Sequence, residues 1–502
     1  MKSLPSKAGY DLLVEMYDLE TVPNWHHSSV STTGTHRVAA TEDGVEETFT
    51  SSYWPGAQWG DHLEFALKYD GTNLGILAAL FEKIGAEEIR AQIAQKRTGK
   101  YARRIWFLYE FLTGTTLDLP DLTMGNYVDL LDPKEYYTAS HAPQIRRQRI
   151  NNNLLGGADF CPIVRRTETL TVFEAAKLPQ RCRQVVADYS PEQLKRALSY
   201  LYTKETKSSF EIEHILPSAT RTERFISLLQ SAEREDFCTK PQLIALQNQI
   251  VDPRFRESDY RAVQSYVGET VSWKQERVHY ACPKPEDLPA LMDGLIAAHR
   301  RMTAGAVSAV IHAATIAYGF VFLHPFQDGN GRIHRLLIHN LLVRCGFSPQ
   351  GVMFPVSAAM LNDALAYDAS LEAFSRPVMK LVEYTLDAQG QMTVHNNTVR
   401  WYRYPDLTPQ AEALFIFIEK TIESELVAEL SFLAHYDVAK RAIQDIVDMP
   451  DRQIDLLIRL CIQNQGRLSQ AKRDSHFQFL TADEVDKIER SIQAVYGGVD
   501  AN

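Results

Sequence analysis

Most of the chain alternates apolar and polar residues at the three- and four-residue spacing of amphipathic helices. The first such stretches are residues 74–93, interrupted at Gly85, and residues 100–112. Residues 1–58 differ, because they are rich in Ser, Thr, Gly and Glu and show little periodicity before Phe49. We therefore predict a mainly α-helical protein whose first segment is irregular, with a short strand or two.

One long helix has a well-marked start. Ser190 is a favourable N-cap, Pro191 suits the first helical position, and Gln193 completes a capping box. The helix is predicted to run toward Ser208 and to end near His214.

A β-hairpin and three helices are predicted in the middle of the chain. Residues 277–283 alternate in polarity and end at a proline, which is typical of an edge hairpin. Helices are predicted at 285–298 and 303–323, and a third at 332–344 with Gly346 placed to end it.

Residues 408–496 show a further helical pattern that includes a basic segment. A helix–turn–helix followed by a basic hairpin is typical of winged-helix domains. The middle helix carries both acidic and basic residues, so a DNA partner and a protein partner are equally open. The predicted elements are helices 410–426, 438–447 and 452–463, a basic hairpin over 466–480, and a helix over 483–496.

Composition narrows the class of protein. The chain has 502 residues, with 45% hydrophobic and 23% charged side chains, as in ordinary soluble proteins of two or three domains. A net charge of −10 argues against a protein that coats nucleic acid. The six cysteines are scattered and no apolar signal core follows Met1, which predicts reduced thiols and a cytoplasmic location. Residues 304–323 are interrupted by polar side chains and predict a core helix, so no membrane partner is expected.

A pair of glycines, Gly329 and Gly331, lies where the helix at 332–344 begins. Backbone N–H groups are unpaired at a helix start, and glycines let a phosphate approach them. A dinucleotide-binding turn is a competing interpretation, but His334 replaces its third glycine and no acidic residue follows about twenty positions on. A helix start without phosphate explains each residue singly, but not the joint pattern.

Ionisable side chains surround these glycines. Asp328 can hold Mg²⁺ through one carboxylate, and His324 can accept a proton from an incoming hydroxyl near neutral pH. Arg332 and Arg335 lie three residues apart on one helix face and can reach further phosphates. The stretch predicts a site that transfers a phosphate-linked group.

Residues 324–335 read His-Pro-Phe-Gln-Asp-Gly-Asn-Gly-Arg-Ile-His-Arg. They resemble, at every specified position, the Fic-family signature His-Pro-Phe-x-Asp/Glu-Gly-Asn-Gly-Arg-x-x-Arg. The resemblance implies a protein adenylyltransferase, which transfers AMP from Mg-ATP to a Tyr, Thr or Ser hydroxyl of a protein, sometimes itself. The implied roles are general base for His324, Mg²⁺ ligand for Asp328, α/β-phosphate ligands for Gly329, Asn330 and Gly331, β- and γ-phosphate ligands for Arg332 and Arg335, and buried anchor for Phe326.

The end of the long helix is similar to the inhibitory motif of the family. Ser209-x-x-x-Glu213 matches Ser/Thr-x-x-x-Glu, and it precedes the signature, as in one of the family's classes. His214 stands where the family normally has Gly or Asn. A capped helix end with solvated glutamates is the alternative interpretation.

Two further matches concern the substrates. The predicted hairpin resembles the family's flap, which pairs with the target's backbone, and its candidate contacts are Val278, His279 and Tyr280. Tyr367 matches a tyrosine often found near the nucleotide base. Packing in the core explains these aromatic residues equally well.

We predict three domains: a mostly helical domain at 1–189, a Fic domain with its inhibitory helix at 190–400, and a winged-helix-like domain at 401–502. One alternative function is AMP removal, with Glu213 holding the attacking water; another is transfer of a different nucleotide or phosphate. From another class, the chain could be a DNA-binding regulator through residues 408–496. The target protein and the choice between monomer and homodimer stay open.

Overall fold

The computed structural model describes residues 5–32, 34–41, 44–272, 275–349 and 352–496. Helices dominate these ranges, so the predicted mainly α-helical class is confirmed. The N-terminal elements are β1 (Ser6–Ala8), α1 (Gly9–Tyr17), β2 (His26–Ser31), β3 (Arg37–Thr41), β4 (Gly44–Thr50), α2 (Trp59–Phe65), α3 (Leu74–Lys83), α4 (Ala86–Gln95), α5 (Lys100–Thr113), β5 (Val128–Asp129), β6 (Gln144–Ile145) and β7 (Ile150–Asn151).

The prediction that residues 1–58 are irregular is wrong. They contain α1 and a four-stranded sheet in the order β1-β2-β4-β3, in which β2 and β4 are parallel. The apolar signal of this sheet is weak, because its small core draws on few hydrophobic residues, among them Val30 and Phe49. Buried polar contacts supplement this small core. Asp70, which is fully buried, accepts a hydrogen bond from the backbone of Tyr10 at 2.9 Å.

Two buried arginines of α5 organise the long segment that follows it. Arg103 donates to the backbone carbonyl oxygens of Gln148 at 2.9 Å and Asn126 at 2.8 Å. Arg104 donates to the carbonyl oxygen of Asp129 at 3.0 Å. These bonds explain how a segment with little regular structure is held against the N-terminal helices.

The central part is helical apart from two short hairpins. Its innermost helix is α12, in which every residue from Val310 to Phe320 is buried. The elements are α6 (Glu168–Ala175), α7 (Leu178–Ala187), α8 (Pro191–Glu211), α9 (Ala219–Ser231), α10 (Lys240–Ile250), β8 (Tyr266–Ser272), β9 (Gln275–Ala281), α11 (Leu288–Ala304), α12 (Ala309–Leu323), α13 (Asn330–Arg344), α14 (Val356–Asn362), α15 (Ala364–Met379), β10 (Tyr384–Leu386), β11 (Met392–Val394), α16 (Val399–Arg403) and α17 (Thr408–Lys420).

Helix α8 begins as the sequence predicts. The Ser190 hydroxyl accepts from the backbone of Gln193, and the Gln193 side chain accepts from the backbone of Ser190. One hydrophobic core runs from Tyr137 to Leu433 and includes Phe210 of α8. The predicted boundaries at 189/190 and 400/401 therefore lie within a continuous core.

The C-terminal part is a small helical unit with its own core. The predicted basic hairpin over 466–480 is wrong, because residues 470–476 are helical and no strand follows β11 in the described residues. Gln470, Ala471, Lys472 and Arg473 all favour helix, which explains the difference. The elements are α18 (Val427–Ile446), α19 (Asp451–Ile462), α20 (Gln470–His476) and α21 (Ala482–Tyr496). Among the described helices, none combines the length and apolar character needed to cross a membrane.

Candidate active site

The predicted site lies on the loop between α12 and α13. His324 ends α12 with a φ of 49°, and Gly329 precedes α13 with a φ of 97°. Glycine adopts this left-handed region without steric cost, which accounts for Gly329. Residues 319–323 belong to α12 and not to a strand, so the dinucleotide-binding interpretation lacks the strand that it needs.

Asn330 fixes the shape of this loop. Its side-chain oxygen accepts a hydrogen bond from the Phe326 N–H at 3.1 Å, and its side-chain nitrogen donates to the Phe326 carbonyl at 2.6 Å. Phe326 itself is fully buried in the core, as the resemblance implies for an anchor. Because the Asn330 amide is occupied in this way, its contribution to a phosphate cradle is limited to its backbone N–H.

Arg261 secures the other side of the loop and was not predicted. It is buried, and its Nε donates to the carbonyl oxygen of His324 at 2.8 Å. Its Nη1 and Nη2 donate to the carbonyl oxygens of Val263 and Pro283 at 2.8 and 2.7 Å. The sequence holds no signal for this role, since the acceptors are backbone atoms of separate segments.

The start of α13 presents unpaired donors. Ile333 makes the first hydrogen bond back to Gly329, at 2.9 Å, so the N–H groups of the preceding turn have no partner within the helix. Arg332 is only 1% exposed, and its Nη2 donates to Asp328 at 2.5 Å. Its Nε and Nη1 are buried without an acceptor in the part of the chain that the structure describes. Such donors fit a phosphate group.

The predicted base, His324, is held as a neutral imidazole. Its Nδ1 lies 3.3 Å from the carbonyl oxygen of Val321, which favours a proton on Nδ1 and leaves the Nε2 lone pair free. Burial, and then the positive charge of Arg261, lower the pKa of His324 to about 4. The ring can therefore accept a proton at neutral pH.

Asp328 fits a minor role in holding a cation. Its carboxylate is 41% exposed, and one oxygen pairs with Arg332. Within the described ranges, no three His, Cys, Asp or Glu side chains are grouped to hold a metal. An ion here would depend on substrate oxygens and water as well, which is how Mg²⁺ binds at nucleotide sites.

The last turn of α8 reaches Arg335. The Nε of Arg335 donates to the Ser209 hydroxyl at 3.0 Å, and its Nη2 donates to the Ser209 carbonyl at 2.6 Å and to Glu213 at 2.8 Å. Burial alone would raise the pKa of Glu213, but Arg335, Arg332 and His324 together lower it. Glu213 is therefore an anion in contact with the predicted γ-phosphate ligand.

Glu213 also covers the glycine loop. A Cβ atom on Gly331 would lie 2.0 Å from the Glu213 Oε1 oxygen, so only glycine at this position leaves room for the carboxylate. The Glu213 side chain is 33% exposed. The carboxylate thus lies where a phosphate on Gly331 would lie.

His214 adopts the backbone that its position requires. Its φ is 54°, and the next residue, Ile215, donates back to the Phe210 carbonyl at 3.0 Å, as in a helix end with a left-handed residue. Gly and Asn are the usual residues there, and His is among the others that tolerate it. The departure at His214 therefore does not disturb the contact made by Glu213.

The hairpin of β8 and β9 is confirmed, but its three candidate residues differ in position. His279 is exposed, Val278 is half-buried, and Tyr280 is buried with its hydroxyl donating to the Phe322 carbonyl at 2.6 Å. Tyr367 is also buried, and its hydroxyl accepts from Arg335 at 3.4 Å. The Tyr280 side chain therefore packs in the core, while its role in the flap stays a prediction, and the Tyr367 hydroxyl contacts Arg335.

A family model described as Fic/DOC family matches residues 237–342. The chain is 34% identical over 119 residues to the Protein adenylyltransferase Fic of Aedes aegypti, covering 23% of this chain and 22% of that protein. It is 33% identical over 140 residues to the protein of the same name from Drosophila grimshawi, covering 27% of this chain and 26% of that protein. The match thus spans about a quarter of the length of these relatives.

Solved structures of Fic proteins are similar at low identity. A Fic family protein from Desulfovibrio desulfuricans G20 has 16% identity and a TM-score of 0.37, covering 66% of this chain and 85% of that one. A Fic domain containing signaling protein from Bacteroides thetaiotaomicron has 18% identity and a TM-score of 0.35, covering 50% of this chain and 96% of that one.

Proposed function

We propose that this chain uses its Fic domain to transfer AMP from ATP to a Tyr, Thr or Ser hydroxyl of a protein, and that Glu213 inhibits the transfer. The observation that carries the proposal is the start of α13, where the Nε and Nη1 of Arg332 have no acceptor among the described residues and the first N–H groups have none within the helix. His324, a neutral imidazole, lies at the other end of the same loop. Donors for phosphates and an acceptor for a proton are the groups that this transfer needs.

The proposed reaction is a displacement at the α-phosphorus. The target hydroxyl oxygen forms the new bond, the bond to the β-phosphate oxygen breaks, and pyrophosphate leaves. His324 takes the hydroxyl proton on Nε2, a contribution that is typically about 10²–10⁴-fold in rate. Asp328 is the residue that would hold Mg²⁺, which neutralises phosphate charge when bound.

Glu213 competes with ATP for Arg335. A carboxylate 2.8 Å from the guanidinium adds negative charge where the γ-phosphate needs to lie. Its oxygen over Gly331 also occupies space beside the glycine loop, which is the proposed α/β-phosphate site. ATP bound through the remaining loop contacts would have a misplaced α-phosphate, and misplacement of this kind can cost roughly 10²-fold in rate or more.

Mass spectrometry of the purified protein after incubation with Mg-ATP tests the proposal through self-modification. Glu213→Gln keeps the size of the side chain and removes its charge, so we expect a strong increase in AMP bound to the protein. Arg335→Ala and the double variant should stay low, and Glu211→Gln, on an exposed neighbour in α8, should behave like the wild type. No gain with Glu213→Gln would contradict inhibition through the charge of Glu213.

Incubation of the protein with labelled ATP separates the alternative functions. Label carried by α-labelled ATP indicates AMP transfer, and label carried by γ-labelled ATP indicates phosphate transfer. A loss of AMP removal in Glu213→Gln would favour the alternative in which Glu213 holds the attacking water for hydrolysis. For residues 408–496, the helical α20 in place of a wing leaves the DNA-binding alternative without a supporting observation.

A further inference from the structure

Arg221, in the first turn of α9, shares an aromatic ring with the phosphate-site arginine Arg332. The guanidinium of Arg221 lies 5.2 Å from the centroid of the Phe210 ring, and that of Arg332 lies 5.3 Å from it. Phe210, a residue of α8, is fully buried, and its ring also packs against Phe225 of α9. The fold therefore holds two positive charges on one ring.

The two charges differ in their partners, because Arg332 is paired with Asp328 at 2.5 Å. The described residues include no carboxylate in ion-pair contact with Arg221, whose Nη2 donates instead to the carbonyl oxygen of Ile250 at 3.1 Å. The Nε of Arg221 is buried without an acceptor, as are the Nε and Nη1 of Arg332. Buried guanidinium donors without an acceptor are costly unless an anion joins them.

The position of Arg221 places it beside the glycine loop. Ile250, which binds Arg221, precedes Val251, and a Cβ atom on Gly329 would lie 3.1 Å from Val251. Burial, and then the charge of Arg332, lower the pKa of Arg221, while Asp328 and Asp252 act in the opposite direction. The positive charges of Arg221 and Arg332 repel each other when no ligand is bound. Together they would favour an anion at this edge of the site.

We propose that Arg221 is a further phosphate-binding residue, which contacts the outer phosphates of a nucleoside triphosphate together with Arg332. The inference rests on the nucleotide site of the proposed function. Arg221 lies outside residues 324–335 and far from them in sequence. A contact with the outer phosphates would stabilise bound ATP and the departing pyrophosphate, whereas AMP, which lacks these phosphates, would gain nothing from it.

Calorimetry of ATP and AMP binding tests this inference in the Glu213→Gln background, where the competing carboxylate is neutral. Arg221→Met keeps an apolar side chain over Phe210 and removes the charge. We expect its ATP affinity to fall about 10-fold or more, as for a lost charge-assisted hydrogen bond. AMP affinity should change less than about twofold. Arg224→Met, on an exposed residue of the same helix, is the matched control and should bind both nucleotides like its parent.

An unchanged ATP affinity in folded Arg221→Met, or an equal loss for ATP and AMP, would overturn the inference. If Arg221→Met does not fold, Arg221→Gln is judged by the same two criteria. The readout is independent of turnover. A selective loss of ATP affinity in a protein that transfers no AMP would support Arg221 and contradict the proposed function. AMP transfer with unchanged ATP affinity would support the proposed function and contradict the role of Arg221.

Discussion

A single residue with a left-handed backbone, His214, allows Glu213 to leave the helix and cover Gly331. Sequence comparison alone makes His214 an exception to the Gly or Asn of the family motif. Its φ of 54° explains both the family preference and why His can replace it. The requirement is conformational, and it does not involve the imidazole.

We expect His214→Val to weaken inhibition. A β-branched residue is poorly tolerated at positive φ, at a cost of roughly 1–2 kcal/mol, so the last turn of α8 should rearrange. Self-modification measured by mass spectrometry should rise several-fold toward the level of Glu213→Gln. His214→Asn should keep the wild-type level, and equal activity of the Val and Asn variants would contradict the prediction.

The low pKa of His324 has a consequence for the pH dependence of the reaction. Because burial and Arg261 hold it at about 4, the free base persists well below the ordinary His range. In Glu213→Gln, which lacks a negative charge that raises this pKa, the acidic limb of kcat/KM should have its midpoint below pH 5. A midpoint near 6.5, the ordinary value, would show that the base is not buried as described.

The same shift affects stability in a defined window. A His with a lowered folded pKa binds a proton more readily in the unfolded chain. Its contribution to stability is therefore complete above about pH 6.5 and is lost as the pH falls toward 4. Rate measurements at low pH need a parallel check of folding by circular dichroism.

The site residues at 324–335 can be predicted from the sequence because they are contiguous. Contacts between segments that are distant in sequence cannot be predicted in this way. Glu257 illustrates the limit: its carboxylate accepts from the backbone N–H of Gln327 at 2.8 Å, yet nothing in the sequence links the two. Tyr280 and Tyr367 illustrate a second limit of prediction from sequence, since a motif gives the position of a residue but not the direction of its side chain. Both rings point into the core.

Helices with strong local signals were predictable, and elements that depend on tertiary contacts were not. The capping box at Ser190 locates the start of α8 from four adjacent residues. The sheet of β1–β4 gives little pattern, because β3 is exposed along its whole length and polar contacts supplement a small core. The basic segment at 470–476 is a helix and not part of a hairpin, because the helix propensity of its residues decides its structure and its charge does not.

Helix α8 carries a buried carboxylate two turns before Glu213. Glu205 accepts from the Ser357 N–H at 2.9 Å and from the Ser357 hydroxyl at 2.5 Å, and so joins α8 to α14. Burial raises the pKa of Glu205 to about 7, against the lowering effect of these hydrogen bonds.

We expect this carboxyl to make stability fall as pH rises. A raised folded pKa contributes stability that is complete below the unfolded value of about 4.5 and is lost as the pH passes through 7, by about 1–3 kcal/mol in all. Urea unfolding at pH 5.5 and 8 should show this loss in the wild type. Glu205→Gln should lack it, and identical pH dependence in the two proteins would contradict the assignment.

Ion pairs link α8 to the helices that lead into the C-terminal unit. Lys204 lies 2.8 Å from Glu425 and 3.1 Å from Glu429. Lys204→Met would leave Glu425, which is nearly buried, with Asn362 as its remaining partner. We expect a loss of about 1–3 kcal/mol in urea unfolding, and Lys195→Met, on an exposed position of α8, should lose less than about 0.5. Equal effects of the two variants would show that the pairing adds no stability.

The core that α8 shares with α12 and α13 determines what kind of control is available. Since Phe210 belongs to the same hydrophobic core as residues of α12 and α13, detachment of α8 would expose part of that core. Under the proposed function, the Glu213 carboxylate and the γ-phosphate then compete for the guanidinium of Arg335. The strength of inhibition would depend on the supply of nucleotide, and its release would require only the rotation of a side chain.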